Sequence, residues 1–335
     1  MRRRFKLLCL SLAAAVGLMS VALAVEQARA PSQAAKTPAP PASVAPALPV
    51  SAPAKAPPVP LLWKVSDGEN AVYLLGSFHL LKADDYPLSN DIDQAFDSAG
   101  KVVFEVPPEQ MMDPAMGQKF LAAAGYADGR TLTQVLPPAL REKFKRILAQ
   151  RGVSIAQFDG YEPWFVNLSL MLGVSEAAGL QPPLGLDQSL MRRAAEARKP
   201  TGGLETLDMQ LQTLDRQPLN EQIAALKRFL DNPQLAEGEL NALHSAWRAG
   251  DVLMLDKLAR EELQREAPES YDMVNVQRNK AWVEQIGEML RGTKQITLVV
   301  VGAMHLVGTD GLVERLRARG YSVVRICTVC DSVAQ

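Results

Sequence analysis

The chain has 335 residues, 47% of them hydrophobic and 22% charged, and 36 Lys and Arg against 37 Asp and Glu leave a formal charge of −1. Such a composition is globular and excludes a disordered, collagen-like or coiled-coil protein. The even charge, without a basic stripe, speaks against nucleic acid as a partner. Three Cys exclude a disulfide-dense scaffold, and with only three His any histidine-based site must use most of the supply.

Residues 1 to 24 open with Arg2, Arg3, Arg4 and Lys6, run apolar through LLCLSLAAAVGLMSVALA and end on Ala22, Leu23 and Ala24. Basic, apolar, then small-x-small is the order of a signal peptide. Export to the periplasm or beyond is expected, with cleavage after Ala24 and no membrane span once the leader is removed. Residues 25 to 60 are rich in Pro and Ala and show no periodicity. Proline at that density withholds backbone donors and favours extended chain, so a disordered, semi-stiff linker is expected there. The folded domain is expected over 61 to 330.

AVYLLGSFHLL (71 to 81) reads as a buried strand ending at Gly76, with His79 three residues later. A helix capped at Ser89 or Asn90 and stopped by Gly100 follows, then the apolar strand KVVFEV (101 to 106). Strand, helix, strand is the order of a parallel β-α-β unit, which would set the end of the second strand beside the His79 turn. Glu105 stands in that apolar strand, where a buried carboxylate calls for a metal ion or a basic partner.

From about 132 to 290 the pattern is a helical insertion with apolar packing stripes. GGLET (202 to 206) interrupts it as a short strand-like piece presenting Glu205. Asp187 reads as a helix N-cap, His244 as a packing residue, and Arg278 and Asn279 on their own as surface residues. QITLVVVGAMHLVG (295 to 308) then repeats the opening plan, with a strand ending at Gly302, His305 three residues on, a helix over 311 to 320 and a strand over 321 to 327.

The expected fold is therefore α/β, with two related β-α-β-containing halves sharing a sheet, each carrying a GxxH turn, plus a large helical insertion. Glycine at the strand end would permit a tight turn. Both imidazoles would then face the carboxyl edge of the sheet, where open α/β sheets bind ligands. Cys327 and Cys330 reach one another only if the chain turns at Thr328 and Val329, and a disulfide clip is expected.

LWK (62 to 64), YLLGSFH (73 to 79), YPL (86 to 88), FEV (104 to 106), GLD (185 to 187), GLET (203 to 206), AWRAGD (246 to 251), RNKAW (278 to 282) and VGAMHL (301 to 306) together resemble the TraB/GumN family, which is related to the Tiki metalloproteases. The resemblance implies a site built from His79, Glu105, Glu205 and His305, with Arg278 and Asn279 as supporting polar groups. It also implies a metal-dependent, peptidase-like hydrolase acting on a peptide or protein substrate with a divalent ion, Mn, Co or Zn. Imidazole and carboxylate donors suit such an ion. The expected roles are His79, Glu105 and His305 as metal ligands, Glu205 or Glu105 as base, and Arg278 and Asn279 as oxyanion donors. Two other readings stay open: a non-catalytic protein that sequesters a peptide signal, and an accessory factor in exopolysaccharide production.

Overall fold

The computed structural model describes residues 55–68, 70–292 and 295–331. The expected signal peptide and all but the last six residues of the expected linker lie outside them. Six strands form one sheet: β1 (Leu62–Ser66), β2 (Ala71–Ser77), β3 (Lys101–Phe104), β4 (Thr201–Gly203), β5 (Thr297–Gly302) and β6 (Ser322–Arg325). They lie in the order β4-β3-β5-β2-β1-β6. β4, β3, β5 and β2 are parallel neighbours, whereas β1 runs antiparallel to both β2 and β6.

The two strands that carry the GxxH turns are side by side at the centre, with Gly76 opposite Val301 and Ser77 opposite Gly302. Every residue of β5 is buried, as is the stretch Leu74–Ser77 of β2. Such unbroken burial suits central parallel strands covered on both faces. The β-α-β expectation needs one correction. β3 pairs with β5 and not with β2, so each strand-helix-strand unit skips over strands of the other half, and the two halves interleave.

The insertion is helical with one exception, because β4 leaves it to pair with β3 at the sheet edge. Its helices Pro138–Ala149, Pro163–Ala177 and Leu219–Asp231 bury a second apolar cluster that includes Leu140, Phe144, Phe229 and Leu230. Among the described residues no helix is long and apolar enough to cross a membrane. At the other end Cys327 and Cys330 are disulfide-bonded across a turn in which the Cys330 amide donates to the Cys327 carbonyl at 3.1 Å. Thr328 donates from its amide and its hydroxyl to Asp91, at 2.9 and 2.5 Å, tying the clip to the start of the helix Asn90–Ser98.

Candidate functional site

β3 ends at Phe104, so Glu105 is the first residue past the strand. Parallel pairing with β4 continues one step further, and the amides of Leu204 and Glu205 both donate to the Glu105 carbonyl, at 3.1 and 2.9 Å. Glu105 and Glu205 are thereby set next to each other. β5 delivers Gly302 to the same edge, and its amide donates to Glu105 Oε1 at 2.7 Å. A Cβ on Gly302 would stand 3.2 Å from both Glu105 Oε1 and His79 Nε2 and 3.7 Å from His305 Cδ2. The backbone there has φ −53°, which any residue adopts. The glycine is needed for space beside three converging side chains, not for a special turn.

Arg278 is the hub. It begins the helix Arg278–Gly292, directly after a π-helical stretch, Asp272–Gln277. Its guanidinium has five N–H groups in a fixed fork, and all five are used. Nε donates to Glu205 Oε2 at 3.0 Å; Nη2 donates to Glu205 Oε1 at 2.7 Å and to Glu105 Oε2 at 2.6 Å; Nη1 donates to the Val274 carbonyl at 3.0 Å and to His305 Nε2 at 3.1 Å. The Trp282 ring covers the guanidinium at 4.5 Å and lies 4.6 Å from the His305 ring. Buried ions of opposite sign are tolerable only with such complete pairing. Arg278 is the basic partner that Glu105 called for.

The second ring nitrogen of His305 faces Asn279 Oδ1 at 2.8 Å. Asn279 Oδ1 can only accept, so the proton sits on Nδ1 and Nε2 accepts from Arg278. Burial, with the Arg278 charge adding to it, holds the His305 pKa down to about 3. His305 is a neutral strut. Burial raises Glu205. Glu105 is drawn down to about 2 despite its burial, by the charge of Arg278 first.

His79 is built differently. The Leu186 amide donates to the Phe78 carbonyl at 3.1 Å, and a Cβ on Gly185 would lie 2.2 Å from the His79 carbonyl oxygen, so the GLD segment docks directly on the loop after β2. Asp187 is therefore not an N-cap. It sits in the first turn of the helix Leu186–Glu196 and faces His79 Nδ1 at 2.9 Å. Burial disfavours a charge on His79, but the Asp187 carboxylate, with a contribution from Glu105, outweighs it and raises the pKa above 6.5. With its proton on Nδ1, Nε2 keeps a free lone pair. Nε2 is buried and has no hydrogen-bond partner among the described residues, and the same is true of Ser77 Oγ. Both residues line a cavity of about 20 Å³, together with Glu105, Asp187 and the apolar Met111 and Met191.

The structure thus gathers His79, Glu105, Glu205, Arg278, Asn279 and His305 at one sheet edge, and it leaves out His244. Sequence reading missed Ser77 and misread Asp187, although both lie within the GSFH and GLD segments it singled out. Gln210 was also missed; its amide lies 3.4 Å from Glu105 Oε2 and 3.3 Å from Glu205 Oε1. Arg278 and Asn279 are 6% and 0% exposed, so they are core and not surface. The Asn279 amide donates to the carbonyls of His305 and Asp310, at 3.3 and 2.9 Å. No N–H of Arg278 is spare for an oxyanion in this arrangement. The expected ion also finds its donors committed, because His305 Nε2 and Glu105 Oε2 accept from Arg278 and Glu105 Oε1 from Gly302. Among the described residues no three His, Cys, Asp or Glu side chains are arranged to hold a metal. Of the three expected ligands, His79 Nε2 has no hydrogen-bond partner and Glu105 Oε1 keeps a second lone pair, but the one lone pair of His305 Nε2 faces Arg278, so the three do not fit an ion together while Arg278 holds this position.

Residues 61–325 match the family described as TraB/PrgY/gumN. Relatives include the uncharacterized protein YbaP of Escherichia coli (strain K12), 24% identical over 255 residues that make up 75% of this chain and 89% of the relative. An uncharacterized protein of Treponema pallidum (strain Nichols) is 21% identical over 272 residues, 77% of this chain and 80% of its own length.

Proposed function

The chain belongs to the TraB/PrgY/gumN family, and from that premise we propose that it is a hydrolase of peptide-type carbonyl substrates with His79 as its general base. One observation carries the reading: a buried imidazole, held by Asp187 through Nδ1 at 2.9 Å, keeps an unpartnered Nε2 and lines a cavity at the carboxyl edge of the sheet. In the proposed reaction Nε2 takes a proton from water as the water oxygen attacks the carbonyl carbon. Asp187 stabilises the imidazolium, which then returns the proton to the leaving amine. The Glu105 carboxylate also favours the protonated form of His79 at that stage, against the opposing charge of Arg278. Activity is expected on the exported protein, a reading supported by the basic and apolar start of the sequence and by the Cys327–Cys330 disulfide.

The free lone pair of His79 also favours a second form of the same activity, in which Mn, Co or Zn is required. Such an ion would have to take Glu105 and His305 from Arg278. Metal analysis of the purified protein followed by a peptide-library cleavage screen, run with chelator and with added manganese, separates the two. The first form predicts cleavage that survives chelator and is lost in His79→Ala. Cleavage only with added ion selects the second, and retained peptide binding without cleavage selects a sequestering protein and overturns both.

A further inference from the structure

Ser77 has no role in anything described so far, yet it is the most deeply buried hydroxyl at the sheet edge. It is the last residue of β2, 2% exposed, and directly opposite Gly302 in the parallel ladder. Its Oγ has no hydrogen-bond partner among the described residues. Two residues further on, His79 Nε2 is in the same condition, and both line the same cavity of about 20 Å³. A cavity needs roughly 10 to 15 Å³ of this measure to hold one water, and that water needs two or more polar partners. The volume admits one.

The chemistry of the two atoms is complementary. Nε2 is an acceptor only, because the ring proton is on Nδ1 opposite Asp187; a hydroxyl both donates and accepts. One water can therefore donate to Nε2 and accept from Ser77 Oγ. That geometry leaves a lone pair on the water oxygen and sets the donated proton on the path to the base.

We infer that Ser77 is the positioning residue for the attacking water, holding it against His79 Nε2 in a one-water site at the end of β2. This rests on the hydrolase reading above for its catalytic meaning, but not for the existence of the site. The step is balanced as written: the water O–H breaks, its proton goes to Nε2, the O–C bond to the carbonyl carbon forms, and Ser77 keeps its own proton. Ser77 as a covalent nucleophile is the competing role. The observations favour water, because Oγ makes no hydrogen bond to His79 and the cavity that both residues line has room for one water molecule.

The test is a high-resolution crystal structure of the wild-type chain and of Ser77→Ala, with kinetics on the peptide found by the screen. The wild type should show one ordered water within hydrogen-bonding distance of both Ser77 Oγ and His79 Nε2. In Ser77→Ala that water should be lost or displaced while the His79 to Asp187 contact stays. Because misplacing a reacting group by about 1 Å costs on the order of 100-fold, kcat should fall about 10- to 100-fold with KM within about twofold. Ser77→Thr, which keeps the hydroxyl, should recover most of the rate. An undisturbed water in Ser77→Ala, no water in the wild type, or a covalent phosphonate adduct on Ser77 would each overturn the inference. If the water behaves as stated but no peptide is turned over, the site stands and the hydrolase reading fails.

Discussion

Two histidines that look equivalent in the sequence have different work at the residue scale. Each follows a glycine by three at the end of a central strand, and nothing in the motif separates them. The difference comes from what faces the second nitrogen: a carboxylate, Asp187, for His79, and an amide oxygen, Asn279, for His305. A base must be neutral to accept a proton, so activity should rise with pH through the His79 pKa. The acidic limb of kcat/KM against pH should lie above 6.5, and Asp187→Asn, which removes the charge that raises it, should move that limb down. Replacing His79 with Ala should lower kcat by about 10²- to 10⁴-fold, the usual contribution of a general base. The neighbours Asp187 and Asn279 are far away in sequence, which is why the motif could announce the site but not the division of roles.

Five of the six strands and the helices between them were readable at the scale of elements because their apolar runs and glycine and proline stops are clear, whereas β1, a short run beside the proline-rich segment, was not read as a strand. Which strand lies beside which was not readable. β5 inserts between β2 and β3 by pairing Thr297 with Val72 and with Lys101, both far off in the chain, and local order carries no record of that. The same holds for the two site glycines. Gly302 looks like a turn residue, yet a Cβ there would crowd Glu105 and His79 at 3.2 Å, and at Gly185 the His79 carbonyl occupies the place of a Cβ. Gly185→Ala would put a methyl group 2.2 Å from the His79 carbonyl oxygen and should destabilise the fold by about 1 to 3 kcal/mol, the range for overpacking, read by denaturant unfolding. The same variant should displace Asp187 and lower turnover. The C-terminal clip was legible, since only a turn lets Cys327 reach Cys330. It closes a very short loop, so the Cys327→Ser, Cys330→Ser double variant should lose no more than about 2 kcal/mol.

Two buried clusters of charged groups stand out among the described residues of the molecule as a whole. One surrounds Arg278. The other joins Asp85, fully buried, to His244 Nε2 at 2.7 Å and to Arg248 Nη1 at 2.5 Å, with the His244 ring near Phe78 and stacked on Trp247. His244 is thus a packing residue as expected, but one that makes a buried hydrogen bond to Asp85 which its apolar helix stripe did not reveal. Burial opposes the charge on Asp85, yet the hydrogen bonds from His244, Lys82 and Arg248 hold its pKa down to about 2 from 3.8. A depressed carboxylate contributes stability that is complete above 3.8 and is lost as pH falls toward 2. That loss should be absent from Asp85→Asn, which itself should cost about 1 to 3 kcal/mol at neutral pH by removing the charged partner of the half-buried Arg248 and weakening the contact to His244.

His79 is the proton-accepting histidine of the site and His305 the neutral support of Arg278. Histidine side-chain NMR tests this division without any substrate, since only three histidines contribute signals and single substitutions assign them. His79 should titrate above the ordinary histidine value of 6.5, while His305, held down to about 3, should stay neutral with its proton on Nδ1 throughout the neutral range. Uptake of a proton by His305 in the neutral range, or a His79 that remains uncharged below pH 6.5, would contradict it.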